Sequence, residues 1–360
     1  MKVYGASVSY YTGKIETYLR YKGIEYTRAS PYGDIKRIKT HVGAIQHPVI
    51  ERSDGRWMSD STPIILQLEK EHTDRGVLPD GPVARFIALL IEDYADEWLW
   101  RAAMHYRWSN EHDRALLSRI LADELTSHVK APRFLRCRMI AKRQRKGFVI
   151  KDGVTDQTRS HVEAGYLKSL ECLSTIFANR PFVLGESPSI ADFGLMGPML
   201  RHFGQDPTPA EIMRDKAPRV FDWLSRMWNA RDHSAKPTFL ATVPNDMNDF
   251  LQEVCETHLV QLKANGLAYQ LGQSKFDMTV QDCNYRSLPI SRYRVYCLEQ
   301  LRAAFDALNE ADKLTVRQLL RTPAASVLWE NQAIAASGYD KRGEAPFNKA
   351  INVFENGVPS

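Results

Sequence analysis

The spacing of apolar positions switches repeatedly between two periods over the first eighty residues. Lys2–Ala6 is a short extended run around Val3, bounded by Gly5. Thr12–Tyr21 changes to helical spacing, with Ile15 and Leu19 four apart and Tyr18 beside them. Gly23 stands where a helix C-cap belongs. Ile24–Arg28 is a second extended run, and Pro31–Ile45 is polar with room for one helix. Pro48-Val-Ile-Glu and Arg56-Trp-Met are extended runs joined by Ser53-Asp-Gly, a hairpin signal. Asp60-Ser-Thr-Pro then opens a helix through Ile64, Ile65 and Leu68. Strand–helix–strand followed by strand–strand–helix predicts a parallel pair, an antiparallel hairpin and one mixed sheet with helices on both faces.

Pro79–Pro82 reads as a linker, and helical spacing dominates beyond it. Phe86, Leu89, Leu90, Tyr94, Trp98 and Met104 predict one long amphipathic helix, extended by Tyr106 and Trp108. His161–Phe177 repeats the pattern. Ser189 with Asp192 three positions later is a capping-box signature before an apolar run. A further helix follows Pro218. Past residue 236, Asp246–Asn265 and Ser291–Leu320 read as helices, with Ala264-Asn-Gly-Leu as a C-cap and Asn309 opening another helical turn. Leu271–Pro289 reads as a hairpin or a long loop. From Gly338 onward, with Gly343, Pro346, Gly357 and Pro359, the chain reads as a surface tail.

The length of 360 residues predicts two or three domains, and 44% hydrophobic with 25% charged residues is ordinary globular composition. No apolar run approaches the roughly 18–20 residues that span a bilayer, and the start of the chain has no signal-peptide core. The five cysteines (Cys137, Cys172, Cys255, Cys283, Cys297) are odd in number and widely spaced, which argues against a disulfide framework and a local zinc site. A reducing, cytoplasmic setting is the expectation. The net charge of +5 is local: residues 131–150 hold seven Lys/Arg and no acid, so the rest of the chain sums to about −2. That segment forms no clean basic stripe and reads first as a solvated, exposed insertion, with nucleic acid, anionic lipid or a partner's acidic face as the alternatives its charge leaves open.

The corners of the first unit carry a resemblance. Ser9-Tyr-Tyr-Thr-Gly-Lys, leading into a helix and then Lys22-Gly23-Ile24, resembles the opening of a glutathione S-transferase. Gln46-His-Pro-Val-Ile resembles that superfamily's motif around a cis proline, and Asp60-Ser61-x-x-Ile64 its Glu-Ser-x-x-Ile motif. Ser189-x-Ala-Asp192 matches the cap of its buried central helix. The resemblance covers about 1–235 and implies a thioredoxin-like α/β domain at 1–80, an all-α domain at 81–235 and a mostly helical extension at 236–360. His47 in place of an apolar residue and Asp60 in place of glutamate depart from the family pattern.

The resemblance implies glutathione as co-substrate and a homodimer; the residues themselves predict no metal and no membrane partner, and they disfavour nucleic acid. A γ-glutamyl carboxylate suits a helix N-terminus, which Ser61 begins, and Asp60 is then placed to pair with the γ-glutamyl ammonium. His47, before Pro48, offers its backbone to the peptide, and Gln46 lies near the glycyl end. The thiol, with an ordinary pKa of about 8.5, must be ionised to react. Ser9 is the candidate donor to its sulfur, with Tyr4, Tyr10, Tyr11 and Thr12 as competing hydroxyls. The first domain has no cysteine, which argues against a protein-thiol mechanism. An apolar second substrate would meet Tyr11, His105, Tyr106 and Trp108. The expected activity is glutathione transfer to an apolar or aromatic electrophile, as in detoxification. Lyase, dehalogenase or isomerase chemistry, or a non-catalytic binding module, remain open alternatives on the same fold.

Overall fold

The computed structural model describes residues 1–44, 46–231, 236–330 and 333–350. The N-terminal unit runs β1 (Lys2–Tyr4), α1 (Tyr10–Lys22), β2 (Thr27–Ala29), α2 (Ile35–Val42), β3 (Val49–Glu51), β4 (Trp57–Ser59) and α3 (Ser61–Glu71). The sheet order is β2-β1-β3-β4, parallel between β1 and β2 and antiparallel elsewhere. This is the expected mixed sheet. Gly23 closes α1 with φ 69°, and its N–H and that of Ile24 return to the Arg20 and Leu19 carbonyls.

The helical unit runs α4 (Pro82–Glu97), α5 (Leu99–Ser109), α6 (Glu111–Leu125), α7 (Arg133–Gln144), α8 (Arg159–Phe177), α9 (Ile190–Pro198), α10 (Pro207–Lys216) and α11 (Pro218–Asn229). The single long helix expected through Trp108 is interrupted at Trp98, whose ring stands 6.3 Å from that of Tyr285 in the C-terminal extension. Every residue of α9 is buried, and the helix packs against α1 and α4. Its predicted cap is present. Asp192 accepts from the Ser189 N–H at 2.9 Å, the Ser189 hydroxyl at 2.8 Å, the Val183 N–H at 3.0 Å and the Trp223 indole at 3.1 Å.

The extension runs α12 (Asn248–Val254), α13 (Val260–Gln270), β5 (Lys275–Val280), β6 (Cys283–Pro289), α14 (Arg292–Asp306) and α15 (Glu310–Leu319). The stretch 271–289 resolves as a hairpin, turning through Gln281 and Asp282 with φ 47° and 64°. The C-cap expected at Ala264-Asn-Gly-Leu is not one: α13 continues to Gln270. Asn265 instead bonds the Ser291 backbone on both sides, and Gly266 lies close under Ile334, where a Cβ would approach within 2.9 Å. One hydrophobic cluster joins residues from all three segments, including Ile15, Leu90, Phe193 and Phe305. No helix among the described residues is long and apolar enough to cross a membrane.

The expected surface tail is a correction. Its described part packs on the N-terminal unit: Pro346 accepts from the Ser59 N–H at 3.0 Å, covering the free edge of β4, and the Ala350 N–H donates to the Val42 carbonyl at 2.9 Å. The Gly357 and Pro359 positions lie outside the described residues.

Candidate active site

The three motif corners converge on one cavity of about 530 Å³. Ser9, Gln46, His47, Pro48, Asp60 and Ser61 all line it, although 52 positions separate the first from the last. The fold explains the meeting. Ser9 follows β1, Pro48 precedes β3 and Asp60 follows β4, so all three leave the same end of the sheet.

Ser9 is the N-cap of α1. Its Oγ accepts from the Thr12 N–H at 3.5 Å, which leaves its own hydroxyl hydrogen for a ligand. The competing hydroxyls are placed elsewhere. The Tyr4 hydroxyl shares its one hydrogen between Asp34 and Glu51, 3.1 and 3.0 Å away, and its ring packs in a separate small cluster. Tyr10 and Tyr11 lend only their rings to the cavity, because their hydroxyls donate to the Ala95 and Asp96 carbonyls of α4. Thr12 Oγ1 is buried without a partner.

The His47–Pro48 peptide is cis. Burial lowers the His47 imidazole to about 4, so the ring is neutral at physiological pH. Asp60 is the N-cap residue of α3 yet makes no side-chain capping bond, and it holds φ 75°, a conformation disfavoured for a side-chain-bearing residue. Its carboxylate is directed elsewhere: Tyr293 donates to Oδ1 at 2.9 Å and Tyr339 to Oδ2 at 3.0 Å. Burial raises Asp60 to about 6 despite those donors. Ser61 is buried at the start of α3.

Behind these groups lies a buried ionic bridge between the two units. Lys14 of α1 contacts Glu92 and Asp96 of α4, the latter at 2.5 Å, and donates to Thr62 of α3 at 3.0 Å. Burial alone would lower the Lys14 pKa, but the two carboxylates outweigh it and raise it. Toward the extension, burial raises Glu97 to about 7 even though Arg294 bonds it at 3.1 Å.

The opposite wall is apolar. Trp100 stacks on Tyr11 at 5.6 Å and meets Phe148 edge-on at 5.6 Å, with Met104, Trp108 and Leu121 beyond. Of the predicted second-substrate residues, the structure brings Tyr11 and Trp108 into the cavity. His105 and Tyr106 are not there. Trp100, Met104 and Trp108 share one face of α5, whereas residues one position on rotate by about 100°. His105 accordingly bonds Glu163 of α8 at 2.9 Å, and Tyr106 packs on Tyr166 at 5.2 Å.

The basic segment 131–150 also lies elsewhere than its sequence predicts. It is not merely a solvated insertion: Arg143, Gln144, Gly147 and Phe148, from the end of α7 and the π-helical turn Arg145–Ile150, close one side of the cavity. The signal was Phe148 directly after the polar run 142–147. Tyr293 and Tyr339 carried no motif at all.

Residues 3–76 match the family model described as glutathione S-transferase, N-terminal domain. No curated protein matches the chain. Similar solved structures include a β-etherase from Sphingobium, 20% identical with a TM-score of 0.45, covering 64% of this chain and 95% of that one. A GST-like protein from Pseudomonas syringae is 18% identical with a TM-score of 0.42, covering 68% of this chain and 76% of that one. A glutathione S-transferase from Methylobacterium radiotolerans, in complex with glutathione sulfonate, is 16% identical with a TM-score of 0.39, covering 66% and 99%.

Proposed function

We propose that the glutathione S-transferase N-terminal domain of this chain, residues 3–76, binds glutathione and activates its thiol for attack on an apolar or aromatic electrophile. One observation carries this reading: Ser9, the cis Pro48 corner and the Asp60–Ser61 corner face one cavity whose other wall is aromatic. In this reading the γ-glutamyl end lies at the start of α3, where the helix N-terminus favours its carboxylate and Asp60 its ammonium. The cysteinyl backbone lies along His47. The Ser9 hydroxyl donates to the sulfur and stabilises the thiolate, lowering the thiol pKa. The sulfur then attacks an electrophilic carbon held against Trp100 and Met104. A carbon–sulfur bond forms, the bond to the leaving group breaks, and that group departs with its electron pair. Residues 1–80 thus serve the thiol and residues 81–235 the electrophile.

Titration of bound glutathione by thiolate absorbance tests this. A bound thiol pKa below the ordinary value of about 8.5 is expected, and Ser9→Ala should return it toward that value with little change in affinity. No binding at millimolar glutathione overturns the reading. An unchanged pKa in Ser9→Ala removes Ser9 from the role.

A further inference from the structure

The C-terminal extension reaches the γ-glutamyl end of the candidate site. Tyr293 lies in the first turn of α14, and Tyr339 lies in the segment after residue 333. Both donate to Asp60, one to each carboxylate oxygen, and both line the same cavity as Asp60 and Ser61. The arrangement is built and not incidental. Tyr339 is 4% exposed, and its ring packs on Tyr293 at 5.1 Å and Tyr296 at 4.6 Å. Ser337 anchors the segment through two bonds to Glu299, at 2.6 and 2.7 Å, and Arg292 holds the Ser337 carbonyl at 2.6 Å. Asn348 closes it by donating to the Tyr339 carbonyl at 3.1 Å.

Each phenol spends its hydrogen on Asp60 and keeps oxygen lone pairs, and each carboxylate oxygen keeps a further acceptor position. Two phenol oxygens and a carboxylate therefore gather acceptors at one end of the cavity, with the Gln46 amide bonded to the Tyr339 phenol beside them. A primary ammonium, with three N–H donors and a positive charge, is the complementary group. We propose that Tyr293, Tyr339 and Asp60 together form a cradle for the α-ammonium of an amino-acid-type ligand, so that the extension is a structural part of thiol-peptide recognition. This rests on the glutathione reading above and adds two specificity-determining residues to it.

The test compares glutathione with its des-amino analogue, N-glutaryl-cysteinylglycine, by titration calorimetry on the full chain. Wild type should bind glutathione at least tenfold more tightly. Tyr293→Phe and Tyr339→Phe should each narrow that ratio severalfold, and the double variant should remove most of it, as should Asp60→Asn. Thermal unfolding checks that each variant folds; if a Phe variant fails to fold, the other and Asp60→Asn decide. A ratio unchanged in the Phe variants overturns the cradle, as does tighter glutathione binding at constant ratio, which would make the phenols a plug. Equal binding of both ligands by wild type also overturns it and leaves the thiol site standing. No binding of either ligand sinks the underlying glutathione reading as well.

Discussion

Arg107 of α5 donates to the Val8 carbonyl at 2.7 Å, one residue before Ser9. The same guanidinium pairs bidentately with Asp206, at 2.7 and 2.9 Å, and all these groups are buried. The turn that presents Ser9 is therefore fixed from the helical unit and not only by its own domain. Arg107→Met strands the Asp206 charge, and breaking a buried pair from one side costs about 3–5 kcal/mol. Urea unfolding should register that loss. Arg107→Met with Asp206→Leu should recover most of the stability while leaving the Ser9 turn untethered. A bound-thiol pKa in the double variant equal to wild type would show that the tether does nothing for the thiol.

Asp60 gives a pH signature. Its folded value of about 6 lies above the ordinary value of 3.8. A carboxyl raised on folding contributes stability that is fully present below the unfolded value and lost as pH rises through the folded one. The unliganded protein should therefore lose this contribution between about pH 4 and pH 6. Asp60→Asn should flatten that part of the stability profile. Tyr293, Tyr339, Lys14 and Glu92 are the other groups acting on Asp60. If Asp60 pairs with the γ-glutamyl ammonium as proposed, binding requires its ionised carboxylate, so affinity should fall below about pH 6 and binding should release a proton there. Calorimetry in buffers of different ionisation enthalpy measures the release; equal heats near pH 5.5 would count against it.

The two faces of α5 predict opposite outcomes. Trp100→Ala removes the ring stacked on Tyr11 and touching Phe148, and should raise the KM for an aromatic electrophile about tenfold or more. His105→Gln changes a side chain committed to Glu163, on the far side of the helix. It should leave kcat and KM within about twofold of wild type. A large loss in His105→Gln with a small one in Trp100→Ala would invert the assignment of faces.

Much of this was legible because local rules and the fold agree. Gly23, the Asp-Gly turn and the Ser189–Asp192 cap are each decided by a few neighbouring residues, and each stands where the sequence places it. Ser9, Pro48 and Asp60 were legible because their motifs sit at strand ends. The places of His105 and Tyr106, outside the cavity, were not legible because aromatic richness marks a helix but not which of its faces lines the cavity. Tyr293 and Tyr339 were invisible because their partner lies 233 and 279 positions away, and no local pattern encodes so distant a contact. The tail was misread because Gly and Pro content describes its backbone freedom and not the free edge of β4 that it covers.

The buried bridge at Lys14 gives the last prediction. Its ammonium is fully enclosed, against Glu92 and Asp96 that are themselves nearly so. Lys14→Met leaves two carboxylates facing each other without their cation, again a loss of about 3–5 kcal/mol. Burial already holds the Asp96 carboxyl well above its usual range, with Lys14 pulling against it. Without Lys14 that opposition ends, and Asp96 should take up its proton more readily still. A carboxyl raised in this way stabilises the fold most at low pH. The deficit of Lys14→Met against wild type should therefore shrink from pH 8 to pH 5, in paired urea unfolding curves. A deficit independent of pH would mean that lost packing, and not uncompensated charge, is what the substitution costs.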